Sequence, residues 1–135
     1  MPFPILVYRF GVFHWQSFEF EDGTSKDKYF IAFNCNISDM EISIVLPTSR
    51  IEKYSGSRLI DTVLIKSGES QYFSKDTLID LKNIKVYEKE KIENAINNGK
   101  VKYLGCLEDF LIERIEDAIS GAVTLSQKEK KNSFM

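Results

Sequence analysis

The chain opens on a period of two. Apolar and polar positions alternate from Val12 to Glu21, most plainly in Phe18-Glu19-Phe20. Alternate side chains of a strand face one side of a sheet, so this segment reads as a β-strand. Asp22-Gly23-Thr24-Ser25 supplies turn chemistry, and Lys28 to Asn34 resumes the strand pattern. The two strands are predicted to form a hairpin. Asn36 to Asp39 reads as another turn. Glu41 to Leu46 alternates, then runs apolar, and should end at Pro47, which has no N–H to give to a ladder. Ser55-Gly56-Ser57 reads as a surface loop. Leu59 to Ile65 is predicted as a strand, turned by Ser67-Gly68-Glu69, and Gln71 to Phe73 as a short extended piece. Thr77 to Leu81 and Ile84 to Tyr87 are two further strands by the same pattern.

The period then changes. Ile92, Ala95 and Ile96 recur at helical spacing within Glu88 to Asn98, and Gly99 follows as a stop. Val101 to Leu104 is predicted extended. Glu108 to Val123 carries the clearest helical stripe: Leu107, Leu111, Ile115, Ala118 and Ala122, joined by Phe110 and Ile119. Glu108 and Asp109 lie at its amino end, where the helix dipole favours acids. Ser126 to Met135 is polar and lysine-rich and reads as a frayed tail. Residues 1–125 are expected to form one domain, mainly β with a C-terminal helix. Short strands followed by a terminal helix predict a small, strongly bent β-barrel closed by helices, an α+β fold.

Composition narrows the functional classes. The 135 residues are 43% hydrophobic and 28% charged, as in a globular domain. Lysines and arginines number 18 against 20 acids, a formal net charge of -2, which excludes a strongly basic coat for nucleic acid but leaves room for a local basic patch. No apolar run approaches the roughly 20 residues that span a bilayer. The segment from Met1 to Tyr8 lacks a basic region and is too short in apolar character for a signal peptide. Cys35 and Cys106 are far apart, so neither a disulfide scaffold nor a cysteine zinc site is expected, and a reducing cytoplasm is the simplest address.

Recognisable cofactor motifs are absent. The sequence has no phosphate-cradling Gly-x-x-x-x-Gly-Lys, no dinucleotide Gly-x-Gly-x-x-Gly and no nucleophile elbow. With a single histidine, His14, no zinc catalyst and no cofactor is expected. Three junctions remain that suit chemistry on a phosphodiester: Lys26-Asp27-Lys28, Thr48-Ser49-Arg50 and Lys75-Asp76-Thr77. Cations, hydroxyls and nearby aromatics match a single-stranded RNA track. Each also has a plainer reading. Lys26 and Lys28 fit solvated charges at a turn and a strand edge. Thr48 and Ser49 fit hydroxyls bonded to local backbone, and Lys75 to Thr77 fits an ordinary turn. His14 is a candidate acid or base, or a satisfied barrel-edge histidine. Trp15 and Phe18 fit base stacking, but core packing is the default.

The order of these pieces is more specific than any one of them. Lys26-x-Lys28-Tyr29-Phe30-Ile31 follows a glycine turn, and an apolar strand ends in Leu46-Pro47-Thr48-Ser49. Phe73-Ser74-Lys75-Asp76-Thr77-Leu78 and then Leu104-Gly105-Cys106-Leu107 follow, the latter opening a helix. Over roughly residues 10 to 120 this order resembles the MazF/PemK family of bacterial toxins. The resemblance implies an SH3-like small β-barrel of the MazF/PemK/CcdB type, usually a homodimer in the cytoplasm. It implies a metal-independent endoribonuclease that cleaves single-stranded mRNA, leaves a 2',3'-cyclic phosphate, and is blocked by a cognate antitoxin protein. No membrane and no DNA partner is expected. Lys28 falls where the family has an arginine, and Tyr29 where it has a proline. Thr48 or Ser49 falls where it has a hydroxyl residue. The resemblance thus assigns catalysis to Lys28, Thr48 and Ser49; Lys26, Arg50, Arg58, Lys75, Asp76 and Thr77 are the candidates for RNA contact, with Arg50 or Arg58 the alternative source of a guanidinium fork. Lysine is a point charge rather than a planar fork, so the exchange at Lys28 is not conservative at a phosphate. A non-catalytic barrel that binds RNA or a protein partner, or poisons a protein target, is the alternative.

Overall fold

The computed structural model describes residues 10–19, 22–33 and 40–123. Seven strands and two helices follow in the order β1 (Gly11–Glu19), β2 (Ser25–Ala32), β3 (Glu41–Val45), β4 (Thr62–Ile65), β5 (Thr77–Asp80), β6 (Lys85–Glu88), α1 (Lys89–Asn97), β7 (Val101–Cys106) and α2 (Asp109–Ser120). The fold is mainly β with two helices. All pairing is antiparallel: a five-stranded sheet ordered β6-β3-β2-β1-β7 and a separate β4-β5 hairpin. Among the described residues these ladders do not close into a barrel. The predicted turn at Asn36 to Asp39 and the tail from Ser126 lie outside the described residues.

Alternation puts a hydrophobic set on each face of the large sheet. Val12, Ile31, Phe33 and Val45 face the β4-β5 hairpin and α2, and pack with Val63, Ile65, Ile79, Leu111, Ile115 and Ile119. Phe13, Trp15, Phe30, Ala32, Ile42 and Ile44 face α1 and pack with Ile92 and Ala95. The sheet is therefore the middle layer, and each helix stripe covers one core. Leu111 and Ile115 are fully buried. Truncating either to alanine removes core contacts worth about 3 kcal/mol.

Polar staples fix α2 and the hairpin against each other. Arg114 makes a two-pronged pair with Glu69, Nη1 to Oε1 at 2.9 Å and Nη2 to Oε2 at 2.8 Å, and also donates to the Leu64 carbonyl. Glu108, just before α2, accepts from the Ser70 hydroxyl and the Gln71 N–H, both at 2.8 Å. The segment between β4 and β5 is thereby tied to the helix. The buried Asp80 carboxylate accepts from the Lys82 N–H, Tyr54 hydroxyl and Asn83 amide, and pairs with the Lys82 ammonium at 2.9 Å.

Three local expectations change. Leu59 to Asp61 is not strand: a 3-10 turn covers Gly56–Leu59, and Asp61 has φ +55°. Gln71 and Tyr72 lie in a turn, because their hydrogen bonds go to Glu108, Ser70 and Cys106 rather than to a ladder. The alternation of β1 is broken by a bulge between Trp15 and Phe18.

Candidate functional site

The site begins where β3 leaves β2. The two strands pair only at Ile31–Val45 and Ala32–Ile44. Beyond Val45 the chain reaches Pro47, which offers no N–H, and then turns to the hairpin. Thr48 exchanges backbone hydrogen bonds with Leu78 of β5 at 3.0 and 2.8 Å. The chain thus passes from one sheet to the other, and the edge of β2 before Ile31 is left without a β3 partner. Strands that switch sheets make corners of this kind.

A cleft of about 250 Å³ lies along that open edge. From β2 it takes Asp27, Lys28 and Tyr29, and from the crossing segment Pro47 and Ser49. The segment before β5 contributes Tyr72, Phe73, Ser74 and Lys75, with Thr77 at the start of β5. Three stretches far apart in sequence thus meet around one opening. Its far wall is held by hydrogen bonds: Ser67 donates its N–H to Asp76 at 2.7 Å and its hydroxyl to the Ser74 carbonyl at 3.1 Å. The Tyr72 hydroxyl donates to the Cys106 carbonyl at 3.1 Å. Tyr29 meets Phe73 edge-on, with ring centroids 6.0 Å apart.

Of the sequence-predicted residues, Lys28, Ser49, Lys75 and Thr77 line the cleft together. Lys26 and Arg50 do not line it, but their charges act on Lys28. Lys28 is half-buried, and its ammonium is held below the usual lysine range, first by burial and then by repulsion from Lys26 and Arg50. An anion in the cleft would offset the repulsion from Lys26 and Arg50. The Thr48 hydroxyl accepts from the Arg50 N–H at 3.2 Å, and Thr77 donates to the Lys75 carbonyl at 2.9 Å. Asp76 serves its own loop through Ser67. Arg58 is not among the lining residues; its guanidinium donates to the Lys53 carbonyl at 3.0 Å. His14 stands beside the cleft rather than in its lining: its Nε2 is 3.8 Å from Asp27 Oδ2 and its ring meets Tyr29 edge-on.

Tyr29, Tyr72 and Phe73 are cleft residues that the sequence did not single out for contact. Their only signal is aromatic character next to a turn. The hydrogen bond from Tyr72 to Cys106 spans 34 positions and leaves no local trace. Among the described residues no three histidine, cysteine, aspartate or glutamate side chains gather where a metal ion would sit, and no helix is long and apolar enough to cross a membrane. No protein-family model and no curated protein matches the chain.

Proposed function

We propose that the chain is a metal-independent endoribonuclease acting on single-stranded RNA, a toxin of the MazF/PemK type on an SH3-like barrel. In the reaction the ribose 2'-hydroxyl gives its proton to solvent water and its oxygen attacks the adjacent phosphorus. The bond to the 5' oxygen breaks, that oxygen takes a proton, and a 2',3'-cyclic phosphate and a 5'-hydroxyl result. Lys28 stabilises charge on the phosphoryl oxygens and supplies a proton. Ser49 positions the scissile phosphate, and Lys75 carries the flanking strand. What supports this reading is the meeting of Lys28, Ser49 and Lys75 in one cleft beside stackable Tyr29 and Tyr72. The passage of the chain from β3, paired with β2, to a bridge with β5 at Thr48 supports the barrel. A homodimer, a cytoplasmic address and a blocking antitoxin belong to the same proposal.

The test is cleavage of end-labelled single-stranded RNAs in EDTA with end-group analysis. EDTA-resistant cuts ending in cyclic phosphate are expected, lost in folded Lys28→Ala and reduced in Ser49→Ala. Intact RNA with folded wild-type protein overturns the proposal.

One observation favours a second reading, a barrel that binds RNA or a protein without turning it over. The Thr48 and Thr77 hydroxyls are both engaged with local backbone. RNA retained without cuts, or a captured partner with no RNA damage, is its expected outcome.

A further inference from the structure

A second cleft, of about 270 Å³, opens on the opposite core, between β1, β6 and α1. It is built by the β1 bulge. In an unbroken strand Trp15 and Phe18 fall on opposite faces, since their separation is odd. The register shift between them puts both on the α1 side. Trp15 and Phe18 then meet edge-on at 5.1 Å, and Tyr87 closes the group at 5.5 Å from Trp15. The bulge holds Ser17 at φ +54°, a conformation that non-glycine residues rarely adopt. Strain of this kind is retained where the surrounding structure enforces it, and it gathers at ligand sites.

The opposite wall is a stripe of α1. Lys91, Asn94 and Asn98 recur at helical spacing and all line the opening, with the small side chain of Ala95 between them. Lys100 follows the helix and joins the rim. Lys91 stands over the Tyr87 ring, 5.1 Å from its centroid. Two lysines against the single carboxylate of Glu19 leave the rim positive. Aromatic rings on one side, two carboxamides on the other and cations at the mouth form a distinct chemical set. Carboxamides offer the paired donor and acceptor that a base edge presents, and rings take its face. The volume falls just below the roughly 300 Å³ at which pockets for drug-sized ligands begin, which fits a single nucleotide.

We infer that this cleft binds one nucleotide, its base against Tyr87 and beside the largely buried Trp15, its edge on Asn94 and Asn98, and its phosphate at Lys91 and Lys100. The inference needs no cleavage chemistry and stands apart from the proposed reaction.

Trp15 is the one tryptophan of the chain, so the cleft carries its own reporter. The experiment is titration of the full-length protein with the four ribonucleoside monophosphates, read by tryptophan fluorescence excited where bases do not absorb. Saturable quenching is expected with at least one of them. Asn94→Ala with Asn98→Ala should weaken it at least tenfold, whereas Lys75→Ala, in the first cleft, should leave it unchanged. Circular dichroism checks that each variant is folded. A parallel titration with an uncuttable 2'-O-methyl RNA tetramer separates a strand from a free nucleotide. A strand lying in both clefts quenches at lower concentration and loses that gain in Lys75→Ala. A free-nucleotide site shows the same midpoint for both ligands. No quenching in folded wild type, or quenching indifferent to the α1 changes, overturns the inference, even if RNA cleavage is found at the first cleft.

Discussion

The carboxylate of Asp27 accepts a hydrogen bond from the backbone N–H of Ser17 at 2.9 Å. This bond joins the two clefts, because Asp27 lines the first and Ser17 the second. It also holds the bulge that turns Phe18 toward Trp15. Asp27→Ala is expected to cost about 1 kcal/mol, a modest value because the bond is exposed to water. Ser17→Gly in the same chain should recover most of that loss, since glycine adopts positive φ without a steric penalty. Urea unfolding of the two single variants and the double variant measures this. A double variant as unstable as Asp27→Ala alone overturns the role given to the bulge.

Gly105 occupies the one described glycine position where a side chain has no room. Its φ is +148°, and a Cβ there collides with the Tyr72 hydroxyl. Gly105→Ala is therefore expected to destabilise the protein by about 2 kcal/mol, through strain and displacement of Tyr72. Because Tyr72 lines the first cleft, RNA affinity should fall with it. Adding Tyr72→Ala removes the collision. The double variant should then lose less than the sum of the single losses in chemical denaturation, while RNA affinity stays low.

The helical stripes and most strands were legible because their signal is local. Leu111, Ile115 and Ile119 repeat along one face of α2, and the same residues form its buried side. The β1 bulge was not legible, since Gln16-Ser17 contains no glycine and the period of Phe18-Glu19-Phe20 looks unbroken. Nor was the start of the Leu59 to Ile65 segment, where Lys82 reaches across to the Arg58 and Ile60 carbonyls and holds them in a turn. The three junctions of the first cleft could each be seen in sequence. Their meeting could not, because it depends on Thr48 leaving β2 to pair with Leu78, thirty positions away. Hydroxyl residues are told apart only by the fold: Ser49 lines the cleft, whereas the Thr48 hydroxyl accepts from the Arg50 N–H.

The Glu69–Arg114 pair gives stability a defined acid dependence. Hydrogen bonds from Arg114 and then from the Lys66 N–H hold the Glu69 carboxyl at about 2, below its usual 4.5. As pH falls below the usual value, the unfolded chain takes up a proton there while the folded chain does not. The contribution is therefore full above 4.5 and is lost as pH falls through about 2. Wild type should exceed Glu69→Gln in denaturation midpoint at neutral pH, and the gap should close across that window. A gap that stays constant down to the lowest pH at which both fold contradicts the assignment.

Lys28 should set the alkaline limit of RNA cleavage. In the proposed reaction Lys28 is the protonated donor, so activity should fall as pH rises through its pKa. Burial, then Lys26 and Arg50, lower it from the ordinary 10.5, so the limb should lie below that value. Arg50→Ala and Lys26→Ala each remove one repelling charge and should move the limb upward. Neither should return it to the ordinary value, because burial is the larger cause and persists in both. Lys28→Arg retains the charge at all assay pH values and should abolish the limb, whatever its effect on rate. The measurement is kcat/KM for a short fluorogenic single-stranded RNA from roughly pH 7 to 10, corrected for uncatalysed hydrolysis. A limb unmoved by both neutralising changes and still present in Lys28→Arg assigns the proton to another group, and leaves Lys28 a phosphate-binding role alone.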